Sequence, residues 1–255
     1  MSGRLESKVC VITGAGGGMG ADAALRFTEE GAKIVVADVD AAAAEKVAGE
    51  VDGLAVQVDV ADETSVKAMY AAASEHFGGI DVLYNNAGIS PADDDSILDT
   101  ALEAWERVQA VNTRRVYLCC KHGIPHLLER GGGSVINVAS FVAILGAATS
   151  QVSYTAAKGA VLAMSRELGV QFAREGVRVN ALCPGPVETP LLLRIWGETP
   201  GAAERRLVHL PMGRMAQPRE IVNAALFLAS DESSFVTGAA FAVDGGVTGA
   251  YVTPE

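Results

Sequence analysis

Tyr154 and Lys158 stand four residues apart in SYTAAKGA, a stretch otherwise built from small side chains. On a helix, residues i and i+4 share a face, so the phenol and the ammonium can reach a common point. A free phenol titrates near ~10, too high for efficient proton transfer at neutral pH, and a nearby cation lowers that value by favouring the phenolate. The chemistry open to such a pair is moving a proton to or from an oxygen. The plainer alternative is two amphipathic side chains with buried stems and wet tips.

A second cluster lies near the N-terminus. TGAGGGMG, beginning at Thr13, follows a β-branched run and opens a helical pattern. Glycines there allow a tight turn and a close approach of phosphate to backbone N–H groups, while the helix N-terminus supplies partial positive charge. Asp38 ends the next apolar run, eighteen residues beyond Gly20. Its carboxylate can accept hydrogen bonds from both hydroxyls of an adenosine ribose, and it would repel a 2′-phosphate. Gly16 and Gly17 offer no basic side chain to pair with such a phosphate, so the cofactor expected is NAD rather than NADP. The alternative for Asp38 is a simple cap on the following helix.

The elements that must hold these residues are legible as alternating runs. Strands are expected at Val9–Thr13, Ile34–Ala37, Leu54–Val58, Val82–Tyr84, Ser134–Val138, Val177–Leu182 and Ala240–Val243. Their continuous apolar character fits strands buried on both faces of a parallel sheet. Helices are expected at Met19–Glu30, Ala41–Glu50, Glu63–Phe77, Leu102–Leu128, Tyr154–Arg174 and Arg219–Ala229, with Gly31 stopping the first and Asp62 capping the third. The expectation is a single α/β domain over 1–255, a Rossmann-like doubly wound parallel sheet of about seven strands with helices on both faces and ligands at the carboxyl ends of the strands.

Composition narrows the partners. A net charge of −11 lacks the basic footprint that nucleic acid or an anionic membrane requires. No run is long and apolar enough to span a bilayer, and the N-terminal stretch has no long apolar core of a signal peptide, so a cytoplasmic enzyme is expected. Cys10, Cys119, Cys120 and Cys183 lack zinc-site spacing and read as reduced core thiols. His122 and His126 have metal-like spacing but no third ligand, and Pro125 disturbs the helix between them, so no metal is assigned. The acidic run Asp93-Asp94-Asp95 reads as a solvated loop.

From Leu5 to about Gly246 the chain resembles the short-chain dehydrogenase/reductase family. The pattern TGxxxGxG is matched by Thr13, Gly14, Gly18 and Gly20, with Gly17 and Met19 between them, and NNAG by Asn85, Asn86, Ala87 and Gly88. VDV, with Asp59 and Val60, resembles the segment that meets the adenine. PGPVET, with Pro184, Gly185, Val187 and Thr189, resembles the turn that holds the carboxamide end of the nicotinamide, and Val236–Gly246 the last strand of the family. The resemblance implies a catalytic set of Asn112, Ser140, Tyr154 and Lys158. In it Tyr154 moves the proton, Lys158 lowers the tyrosine pKa and bonds the nicotinamide ribose, Ser140 bonds the substrate oxygen, and Asn112 helps hold a water chain.

Ser140 precedes Tyr154 by fourteen residues where thirteen is the commonest spacing in the family, so Phe141–Ser153 is expected to carry one extra residue and to border the substrate. A lid is expected at about 190–212. Its apolar residues Leu191, Leu192, Leu193, Ile195 and Trp196 either cover an apolar substrate or form core, and Arg205-Arg206 reads as surface charge. The reaction expected is NAD-dependent interconversion of a secondary alcohol and a ketone, in a homotetramer formed through the Tyr154 helix and the helix before it. Two alternatives are a 3-oxoacyl thioester (acyl-carrier-protein or CoA) reductase, with Arg130 and Arg174 meeting an acidic carrier, and a non-catalytic NAD-binding sensor.

Overall fold

The computed structural model describes residues 3–147, 149–189, 192–193 and 201–250. Seven strands, β1 (Val9–Thr13), β2 (Lys33–Asp38), β3 (Leu54–Gln57), β4 (Val82–Asn85), β5 (Gly133–Val138), β6 (Val177–Pro184) and β7 (Ala240–Val243), form one parallel sheet in the order β3-β2-β1-β4-β5-β6-β7. The chain winds outward from β1 in one direction and from β4 in the other. The carboxyl ends of β1 and β4 therefore part around a crevice, the place where such sheets take ligands.

Alternate side chains along each strand feed two separate cores. On one face, Cys10, Ile12, Ile34, Val36, Tyr84 and Leu182 pack under α1 (Gly18–Glu29), α2 (Ala41–Val51) and α8 (Pro218–Ala229). On the other, Val11, Val35, Leu83, Val135 and Val179 pack under α3 (Glu63–Phe77), α5 (Arg115–Glu129) and α6 (Val152–Gln171). Each fully buried aliphatic side chain contributes about 1.5–3 kcal/mol, so both faces of the sheet resist opening. Between β4 and α5 lies α4 (Leu102–Gln109), and between β6 and α8 the short α7 (Ala202–Leu207).

The expected caps are present. Asp62 accepts from Ser65 N at 2.7 Å, and Gly31, with φ of +86°, closes the end of α1 in a conformation that favours glycine. The expected single helix over Leu102–Leu128 runs on without a gap, but Ala110–Arg114 widens it into a π-turn between α4 and α5. By contrast, Pro125 does not interrupt α5. Its neighbours Gly123, Ile124 and Leu127 are buried, and that packing carries the helix past the missing N–H. His122 faces Glu63, with Nε2 2.8 Å from Oε1. Among the described residues no helix is long and apolar enough to cross a membrane, and no group of three or more His, Cys, Asp or Glu could hold a metal ion.

Candidate active site

Around the crevice, the glycine turn is built by close contact. Gly14 has φ of +65°, and a Cβ there would lie 2.7 Å from Ala87 Cα. At Gly20 a Cβ would lie 2.1 Å from Gly14 O, so neither position accepts a side chain. Asn86, at the end of β4, braces the turn by donating from Nδ2 to Thr13 O and Gly14 O at 3.1 Å each. Gly17 and Gly18 face open space, with Met19 half-buried beside them, and α1 begins with no side-chain cap. The uncapped start of a twelve-residue helix is a place for anionic oxygens.

Asp38 does not cap α2; Asp40 does, accepting from Ala43 N at 3.1 Å. Asp38 instead accepts from Gly16 N at 2.9 Å and from Asp40 N at 3.0 Å. Its carboxylate is thereby aimed at the glycine turn and held there. Asp59 is exposed and closes its own turn by accepting from Ala61 N at 2.8 Å, while Val60 is buried beneath it. On the far side, β6 ends at Pro184. Gly185 lies so close to Asp244 that a Cβ would come within 2.7 Å of its Cα, Val187 is buried, and Thr189 accepts from Leu192 N at 3.3 Å. These residues fit a nicotinamide dinucleotide: two glycine approaches, an anion-seeking helix end and an acidic group at the second strand.

The Tyr154–Lys158 pair sits on the first turns of α6. Lys158 is almost fully buried and donates from Nζ to Val138 O at 2.8 Å, with Nζ 5.4 Å from the centre of the Tyr154 ring. Burial, followed by the nearby Arg115 guanidinium, drives the lysine well below its ordinary pKa. Burial pushes Tyr154 above the ordinary tyrosine value, and the Ser140 hydroxyl and Arg115 pull it back in part. Desolvation thus outweighs the neighbouring groups that favour the phenolate. Ser140 is buried, caps the turn Phe141–Ala143 and faces the Tyr154 phenol.

Asn112 lies fully buried in the π-turn, donating from Nδ2 to Ile89 O at 2.8 Å and accepting from Ile89 N at 3.1 Å. The π-turn aims this amide at the segment after Gly88, and a Cβ on Gly88 would lie 2.9 Å from Asn112 Oδ1 and 3.6 Å from Lys158 Nζ. Asn112, Ser140, Tyr154 and Lys158 therefore gather at one end of the sheet. The lid expectation cannot be placed in the same way: Leu191, Ile195 and Trp196 lie outside the described residues, while Leu193 is half exposed.

Three contributors escape a reading of the sequence. Asp94 is buried rather than solvated, and its carboxylate accepts from Ser153 N at 2.9 Å and Tyr154 N at 2.8 Å, capping α6 from a distant loop. Asn137 links Asn85 on β4 to Ser165 on α6 through bonds of 2.8 and 3.0 Å, fixing the helix against the sheet. Arg115 is the third.

Parallel strands whose carboxyl ends share one crevice, lined by a glycine turn, place the chain among the dinucleotide-binding α/β proteins. The chain belongs to the short-chain dehydrogenase/reductase family, whose dehydrogenases use a nicotinamide cofactor; a family model described as Enoyl-(Acyl carrier protein) reductase matches residues 14–248. It is 40% identical over 255 residues to meso-2,3-butanediol dehydrogenase of Serratia marcescens, covering 99% of both chains. It is 41% identical over 254 residues to cis-4-hydroxycyclohexanecarboxylate dehydrogenase of Sinomonas cyclohexanicum, covering 97% of this chain and 99% of the other. Among solved structures, it resembles 3-ketoacyl-(acyl-carrier-protein) reductase from Brucella melitensis, complexed with NADH, with a TM-score of 0.87 and 39% identity over 96% of this chain and 99% of that one.

Replacing Asp94 by Ala removes both acceptors from the first turn of α6. We expect a loss of about 1–2 kcal/mol in urea denaturation, and partial recovery with Asp94→Asn, which still accepts at a helix start.

Proposed function

We propose that this protein is an NAD-dependent dehydrogenase that interconverts a secondary alcohol and its ketone, with Tyr154 as the proton-transfer group. The observation that carries the reading is the convergence of the Tyr154 phenol, the Ser140 hydroxyl and the buried Lys158 at the crevice mouth. Relatives named for a butanediol and a hydroxycyclohexane acid support a secondary carbinol as substrate.

Bound NAD supplies a hydride acceptor, or as NADH a donor. Gly14, Gly17, Gly18, Met19 and Gly20 receive its phosphates, Asp38 the adenosine ribose, and Asp59 and Val60 the adenine. Asn86, Ala87 and Gly88 line the middle of the crevice, and Pro184, Gly185, Val187 and Thr189 the nicotinamide end. Tyr154 as phenolate takes the hydroxyl proton of the alcohol, and as phenol returns it to the ketone oxygen. Ser140 donates a hydrogen bond to that oxygen as its charge changes. Lys158 bonds the nicotinamide ribose, and Asn112 holds the chain segment beside it, where protons pass toward solvent. Phe141–Ser153 and the 190–212 lid border the substrate.

The thioester-reductase reading draws less support: Arg130, one of its two candidate arginines, is paired with Asp81 at 3.2 Å. For assembly we favour a homotetramer through α5 and α6. Tyr117 and Val170 are exposed there, beside a groove lined by Ile124, Leu128, Met164 and Phe172. A single-chain mass by sedimentation would refute it. Four free, buried cysteines accord with a cytoplasmic location.

Tyr154→Phe should cut turnover about 100-fold or more while NAD binding persists; a sensor would be indifferent to the change. Because oxidation needs phenolate and reduction needs phenol, wild-type oxidation should rise with pH through the alkaline range while reduction falls. A pH profile of kcat/KM in both directions checks the sign. In thermal-shift titrations NAD(H) should stabilise more than NADP(H), and Asp38→Ala should weaken NAD about tenfold or more, narrowing the gap.

A further inference from the structure

The backbone that carries Tyr154 is held from outside its own helix. At the start of α6, Val152 N donates to Asp95 O at 3.2 Å, and the Asp94 carboxylate, only 6% exposed, accepts from Ser153 N at 2.9 Å and Tyr154 N at 2.8 Å. From the other side Gln109 donates from Nε2 to Ser153 O at 3.0 Å. The peptide group joining Ser153 to Tyr154 therefore has its N–H held by one distant side chain and its C=O by another.

Both holders are themselves fixed. Gln109 is the last residue of α4, and Thr113 in the π-turn donates from Oγ1 to Gln109 Oε1 at 2.7 Å, which turns Nε2 toward α6. Asp93 pairs with Arg107 of α4 at 2.6 and 2.7 Å, and Asp95 N donates to Thr100 Oγ1 at 2.9 Å, so the loop bearing Asp94 is tied to α4 as well. The helix needs an N-terminal acceptor because Gln151 supplies none, and Asp94 meets that need. Gln109 meets no such need: in an α-helix Ser153 O already serves the N–H four residues on. A second donor on that carbonyl adds orientation rather than satisfaction. What it orients is the residue whose ring stands 5.4 Å from Lys158 Nζ, and in proton transfer a misplacement of about 1 Å can cost about 100-fold in rate.

We propose that Gln109 and Asp94 are positioning residues for the reaction, clamping the Ser153–Tyr154 peptide between them so that the phenol stands where the substrate oxygen arrives. The proposal rests on Tyr154 being the proton-transfer group. Its test is the kinetics of Gln109→Ala, Asp94→Ala and Asp94→Asn with NAD⁺ and meso-2,3-butanediol as the probe alcohol, each variant made again in Tyr154→Phe protein. Gln109→Ala and Asp94→Ala should each lower kcat about tenfold while KM for NAD⁺ stays within about twofold. Asp94→Asn, which still accepts, should recover part of the loss. In Tyr154→Phe protein neither change should lower the residual turnover further, because no phenol hydroxyl is left to place. Gln109→Ala leaves the acceptor at the start of α6 intact, so it carries the test where the Asp94 variants fold poorly. An unchanged kcat in Gln109→Ala overturns the proposal, as does a loss of equal size with and without the Tyr154 hydroxyl, the mark of a contact that only holds the fold. Retained turnover in Tyr154→Phe alone would instead sink the reading of Tyr154, so the two failures are distinguishable.

Discussion

A lysine ammonium taken almost wholly out of water is the constraint around which this end of the molecule is arranged. Among the described residues Lys158 donates to the Val138 carbonyl, and that carbonyl is available because β5 stops there. The lysine can reach it only if α6 starts at the right height and lies at the right distance from the sheet. Asp94 sets the height by holding the N–H groups of Ser153 and Tyr154, and the Asn85–Asn137–Ser165 chain sets the distance. A buried charge is strongly destabilising when its partner is lost, so these polar contacts are bound to the same outcome.

The π-turn answers a second demand. An unbroken α-helix over Leu102–Leu128 would set Asn112 at a different angle to the chain after β4. One widened turn lets the amide bond both backbone groups of Ile89 and places Arg115 inward. Single π-turns inside α-helices are frequently found at functional sites, and this one brings Asn112 to Gly88, the same glycine that Lys158 Nζ approaches.

Much of this was legible from sequence because the signals are local. Continuous β-branched runs gave the strands, a glycine cluster after the first strand gave the crevice, and Asp38 stood where the second strand ends. Residues whose roles depend on distant contacts were hidden. Asp94 sits in an acidic triplet that looks solvated, and its partners are about sixty residues away; the one local hint is that α6 has no side-chain cap of its own at Gln151. Arg115 looks like one more charge beside Arg114, since nothing in NTRRVY tells which arginine turns inward. The π-turn has no compositional mark, as it adjusts helix geometry to tertiary demand rather than to propensity.

The most direct test of the account is an absorbance assay of purified protein with NAD⁺ and a panel of cyclic and acyclic secondary alcohols, each active alcohol repeated with deuterium at the carbinol carbon. The account predicts that NADH and ketone form in equal amounts, that the deuterated alcohol reacts more slowly in the chemical step, and that NADP⁺ supports the reaction poorly. Ketone formation that is faster with NADP⁺, or nicotinamide reduction without deuterium transferred to it, would contradict it.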